Sequence, residues 1–211
     1  MAAGLALGAG AILIGASVGR QEHGGAVSAI AVVNGEQVTR DEFDSYALVF
    51  TDPSGSVRIT REQILTSLIN QELATQEAAR RGITVDDRDV DSALAIIGEM
   101  DVTGSAFSAE GGQVAFRARI RARILMEKVK AVVASVPMLE EALVRREYDD
   151  DGSLHVVSYA EIHDKLADRI HEGLVERRWT AWLAQMRGCS EIRVLDTSVA
   201  VTYPRSEKTC P

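Results

Sequence analysis

An Asn-Gly pair at positions 34 and 35, flanked by Ala31-Val32-Val33 and Glu36-Gln37-Val38, is the strongest local constraint on this chain. Both turn residues tolerate positive φ, so the stretch predicts a tight two-residue hairpin between short strands. Thr39 with Glu42 directly behind it forms a capping box, which starts a helix at about Arg40 with Phe43, Tyr46, Ala47 and Phe50 on one side. Asp52-Pro53-Ser54-Gly55 ends that helix.

Further helices follow with readable ends. Thr60 and Gln63 make a second capping box, and Arg80-Arg81-Gly82 puts cations and a C-cap glycine at the other end. Ile64, Leu65, Leu68, Ile69 and Leu73 form the inward stripe. After Ile83-Thr84-Val85, Asp86 caps a third helix with Val90, Ala93, Leu94 and Ile97 at helical spacing, expected to lie antiparallel to the second. Asp101 to Gln113 reads as a mobile loop whose one aromatic residue is Phe107.

A fourth helix is expected from about Val114 to Ala134, burying Phe116, Ile120, Ile124, Val129 and Val132 or Val133. Its opposite side carries Arg117, Arg119, Arg121, Arg123, Lys128 and Lys130. That side has two readings, a contact for acidic clients or anionic lipid, and a solvated face neutralised by acidic neighbours. Past Pro137, Met138 to Tyr148 fits a short helix, and Asp149-Asp150-Asp151-Gly152 an exposed turn. Ser158 with Glu161 caps a last long helix whose apolar stripe changes side, from Ile162, Leu166, Ile170 and Leu174 to Val175, Trp179, Trp182, Leu183 and Met186. One helix thus serves two surfaces. Ile192-Arg193-Val194-Leu195 reads as a strand able to pair with the hairpin.

Composition agrees with a mainly α chain: aromatics are 5% and the hydrophobic share is 46% of 211 residues. A net charge of -8 opposes a nucleic-acid partner. Ala2 to Gly19 holds no charged residue and is read as a membrane-inserting segment, either a cleaved signal peptide ending near Gly15, Ala16 and Ser17 or an uncleaved anchor. The only cysteines, Cys189 and Cys210, fit a disulfide in an oxidising compartment or two idle thiols.

Reactive chemistry is thinly represented. His163 and His171 stand eight residues apart, with no partner one helical turn away for a metal. No Gly-x-Ser-x-Gly, His-Glu-x-x-His or phosphate-binding glycine loop is present, and no cofactor or nucleotide is expected. Tyr46, Phe50, Phe107, Trp179 and Trp182 are then the candidates for a client-binding surface, with core packing as the plainer reading of each.

The run Val33 to Phe43 resembles the opening of the N-terminal domain of SurA and PrsA-type foldases. Leu68 to Leu73 with Gln76 to Asp86, Arg117 to Val129, and Val157 to Val194 are similar to its later helices and closing strand. The resemblance implies a SurA N-terminal-like helical bundle with a small β-hairpin and C-terminal strand over residues 30–196. It also implies an ATP-independent, extracytoplasmic chaperone acting on unfolded or nascent exported polypeptides.

Residues 1–19 are then the signal or anchor, through which an uncleaved chain would meet the membrane. Residues 20–29 form a linker and 197–211 a flexible tail. Many members carry a parvulin prolyl-isomerase domain where this chain has only residues 135–157, too few for an independent fold. The expectation leans away from an enzyme. Prolyl isomerisation and a dedicated role in assembling one envelope protein stand as the alternatives.

Overall fold

The computed structural model describes residues 28–50, 59–99, 110–199, 201 and 203. Expectations for residues 1–19, for the loop with Phe107 and for Cys210 lie outside the described residues. Three short strands and six α-helices succeed one another: β1 (Ala29–Val33), β2 (Glu36–Thr39), α1 (Arg40–Val49), α2 (Arg61–Arg81), α3 (Asp87–Glu99), α4 (Glu110–Val133), α5 (Glu141–Asp150), α6 (Tyr159–Cys189) and β3 (Ile192–Val194). A 3-10 turn, Gly152–Val156, joins α5 to α6.

The two ends of this fold meet in one antiparallel sheet of order β2-β1-β3. At the hairpin turn Asn34 has φ 51° and Gly35 φ 94°, the backbone that an Asn-Gly pair adopts at least strain. Val33 pairs with Glu36 on one side and with Ile192 on the other. The capping boxes form as the sequence implies. Thr60 Oγ1 accepts from the Gln63 N–H at 3.2 Å, Gln63 Oε1 accepts from the Thr60 N–H at 2.8 Å, and Ser158 with Glu161 repeats the pattern.

Two apolar clusters hold the bundle. Ile30, Val33 and Val38 of the sheet pack with Phe43 of α1 and Ile64, Leu65, Ile69 and Leu73 of α2. Ala74, next to Leu73 on α2, and Ala78 one turn beyond it pack with Val129 of α4 and with Trp179 and Leu183 of α6. Glu77, beside Ala78 on α2, has 2% of its side chain exposed and is paired with Arg80 at 2.8 Å and with Arg81. Those hydrogen bonds, Arg80 first, hold its carboxyl below the usual range despite burial.

Three differences from the sequence reading have physical causes. α3 packs along α4 rather than antiparallel to α2, because α4 captures the link between them. Arg121 donates to the Val85 carbonyl at 2.7 Å and Lys128 to the Thr84 carbonyl at 3.0 Å. α4 begins at Glu110, before Val114; it buries Val129, and of the pair Val132 and Val133 it is Val133 that packs on the second cluster while Val132 is 47% exposed. The segment after Thr197, read as a tail, gives the first cluster Val199, only 4% exposed, and Tyr203, whose hydroxyl lies 2.9 Å from Thr66 Oγ1.

α6 does serve two surfaces. Its C-terminal half packs on α2 and α4, and its N-terminal half pairs with α5, where Leu166 and Val144 are 1% and 2% exposed. α5 makes its main contacts with α6 and the 3-10 turn, so the pair forms a helical arm.

Candidate functional site

Four of the six cations on the basic side of α4 are neutralised within the fold. Arg117 pairs with Asp91 at 2.7 Å, Arg121 with Asp87, Lys128 with Asp89 at 2.5 Å and Lys130 with Glu176 at 2.5 Å. The hydrogen bond from Lys128 is the main reason that the Asp89 carboxyl sits below its ordinary range. Arg119 donates to the Ser45 carbonyl, which leaves Arg123 as the one cation of that side without a protein partner among the described residues, so the solvated, paired reading describes most of it.

The four aromatic candidates among the described residues do not gather into one exposed surface. Trp179 is 6% exposed and stacks on Trp182 with ring centroids 5.0 Å apart, both against the second cluster. Tyr46 packs on the first cluster, with the Phe50 ring 5.4 Å away, and borders a cleft of about 230 Å³ with Asp41 and Arg119. Large side chains at helical spacing are spent where two helix layers must be filled.

Open apolar surface lies elsewhere. Between α3 and α4 a trough of about 540 Å³ is walled by Ala93, Ile96, Ile97, Ile120, Ile124 and Ala131, and Ile96 is 59% exposed. A cleft of about 900 Å³ between the end of α4 and the middle of α6 shares Glu127 and Ala131 with it. Through Val136 this cleft continues into a third hollow of about 390 Å³ at the root of the arm, lined by Met138, Leu139, Leu143 and Leu174. Met138 is 95% exposed. The three adjoin as one band, apolar at its two ends and crossed in the middle cleft by Lys130, Arg169, His171, Glu172 and Glu176.

The sequence did carry a signal for this band. Ile96 and Ile97 are adjacent on a helix, so with about 100° between neighbours both cannot face the same partner. Val136-Pro137-Met138-Leu139 is an apolar run immediately after a helix end, where no periodicity buries it.

The arm carries a separate polar cluster. His163 Nε2 lies 2.9 Å from Glu141 and Nδ1 2.8 Å from Asp164. Tyr159 is bound to Glu141, and burial together with that carboxylate pushes its hydroxyl up to about 12. Arg145 sits 4.5 Å over the Tyr159 ring. These groups brace α5 on α6. Among the described residues no group of His, Cys, Asp and Glu is arranged to hold a metal ion, and no helix is long and apolar enough to cross a membrane.

These features define a helical-bundle domain closed by a sheet of its own two ends, with open apolar surface between α3 and α4 and at the root of the arm. The SurA-like N-terminal domain family matches residues 2–130, more than half of the chain, and the chain belongs to that family. No parvulin domain is detected in the 211 residues; residues 135–157 form α5, the 3-10 turn and their links. No curated protein matches the chain.

Proposed function

We propose that this protein is an extracytoplasmic, ATP-independent chaperone-like protein that holds unfolded or partly folded polypeptides. The observation that carries the reading is the open apolar surface in the α3–α4 trough and at the root of the arm, joined by a cleft of mixed lining, with Ile96 and Met138 open to solvent. Exposed contiguous apolar surface on a folded domain marks a binding site. Binding by burial of that surface is reversible and needs no nucleotide. Membership of the SurA-like family supports the client class, and the uncharged run Ala2 to Gly19 supports export.

The test is light scattering of a urea-unfolded reporter protein diluted into buffer with the full chain. Suppressed aggregation that is weakened in Ile96→Glu and Met138→Glu is the expected result. Absence of suppression, with crosslinking in cell envelopes to one dominant partner, would favour a dedicated assembly role instead.

A further inference from the structure

Resting on that reading, we infer that the α3–α4 trough takes its client as a short amphipathic helix rather than as an extended segment. Both walls of the trough are α-helices, whose backbone N–H and C=O groups are consumed by their own turns. The floor is aliphatic: Ile97, Ile120 and Ile124, with Ala93 and Ala131 as small residues that admit a close neighbour.

An extended client pressed into that floor would turn amide groups toward isoleucine side chains with no backbone edge to receive them, and unpaired buried amides are costly. A helical client arrives with its backbone already satisfied and offers only its apolar stripe. The length agrees. From Ile120 to Ala131 the α4 wall runs about 16 Å, or about three helical turns.

The charges at the lip specify the occupant further. The cations of α4 facing α3 are neutralised, Arg117 by Asp91, Arg121 by Asp87 and Lys128 by Asp89. Arg123 and Glu127, both exposed and one turn apart on the trough wall, make no ion pair among the described residues. A partner helix complements them when a carboxylate sits opposite Arg123 and an ammonium, one turn along, sits opposite Glu127. The occupant is therefore an aliphatic-striped helix of about three turns with that charge pair on its flank.

Two fluorescein-labelled peptides of identical composition, about 12 residues long, test this with the full chain. One has leucines at helical spacing with Glu and Lys one turn apart; the other has the leucines at alternate positions. The helix-patterned peptide is expected to bind at least roughly tenfold more tightly, to gain helical circular dichroism on binding, and to lose affinity to Ile96→Glu. Arg123→Glu is expected to weaken it too, and a peptide with a second Lys in place of its Glu is expected to recover part of that loss.

Equal affinity for the two peptides, or affinity indifferent to Ile96→Glu, overturns the inference. If neither peptide binds while the chain still suppresses aggregation, the helical occupant is refuted and the chaperone reading stands. If neither binds and suppression is absent as well, both fall.

Discussion

Asn34 holds Glu191 at two points: its backbone N–H donates to the Glu191 carbonyl at 2.8 Å, and its side-chain Oδ1 accepts from the Glu191 N–H at 2.8 Å. The same side chain donates through Nδ2 to Gln76 Oε1 at 2.7 Å and to Ser190 Oγ at 3.2 Å. Gln76 in turn donates to the Val33 carbonyl at 3.0 Å. One turn residue thus joins the hairpin, α2 and the start of β3. Asn34→Gly keeps the positive φ and removes only the side-chain bonds, so it is expected to lower unfolding free energy by about 1–3 kcal/mol. Asn34→Ala is expected to lose about 1 kcal/mol more, because φ 51° strains alanine. Urea unfolding with an unchanged slope separates the two.

The elements written in local chemistry were legible: the turn at Asn34-Gly35, the capping boxes at Thr60 and Ser158, the left-handed Gly82 at the end of α2, and the change of stripe on α6. What failed was partner choice. Nothing near Ile83-Thr84-Val85 announces that Arg121 and Lys128, 36 and 44 residues away, will bind its carbonyls and draw α3 onto α4. The band was missed for a related reason. Trp179 attracts attention by size yet is buried by the stacking of three helices, whereas the exposure of Ile96 and Met138 depends on what fails to cover them.

Asp196 links the segment after β3 to the start of both early helices. Ser198 donates to it from its N–H and hydroxyl, Arg40 pairs with it at 2.5 Å and Arg61 at 3.2 Å. The Ser198 bonds first, then Arg40, hold its carboxyl far below the ordinary range. A folded-state pKa below the unfolded one, which is about 3.9 for Asp, gives stability that is in place above about pH 4 and drains away as pH falls. Asp196→Asn is expected to be less stable at neutral pH and to have a shallower acid limb in thermal melts. An unchanged limb would remove Asp196 from the acid response.

The arm titrates in the opposite sense. Hydrogen bonds from His163 to Asp164 first and then to Glu141 raise its pKa. A raised folded-state value means that the brace is fully present below the ordinary histidine range, about pH 6.5, and is lost as pH climbs through the folded value. Amide exchange in α5 is expected to quicken over that rise, and His163→Gln should flatten the dependence. Nuclear magnetic resonance titration of the imidazole gives the pKa directly; an unshifted value would dismiss the brace.

Cys189 is disulfide-bonded, and Cys210 is the other cysteine of the sequence. Their pairing would close a loop of about 20 residues over the segment that carries Val199 and Tyr203, worth on the order of 3 kcal/mol in the unfolded-chain entropy model. A non-reducing peptide map of exported protein is expected to contain the Cys189–Cys210 crosslink. Cys210→Ser should lower the melting temperature to that of the reduced protein; two alkylatable thiols in the native protein would rule the pairing out.

Trp179 and Met138 should respond to substitution in opposite ways, and the contrast separates packing from binding. Trp179 is 6% exposed among Ala74, Ala78, Val129 and Leu183, so Trp179→Ala leaves a cavity at the meeting of α2, α4 and α6 and is expected to cost about 3–5 kcal/mol. Any loss of aggregation suppression in that variant should follow its unfolded fraction and recover under conditions that restore folding. Met138 is 95% exposed at the root of the arm, so Met138→Glu is expected to change stability by less than about 0.5 kcal/mol. Suppression by this fully folded variant should nevertheless fall, because a carboxylate in the band must be desolvated when a client covers it. Full suppression by Met138→Glu would move the client surface away from the arm, toward the α3–α4 trough alone.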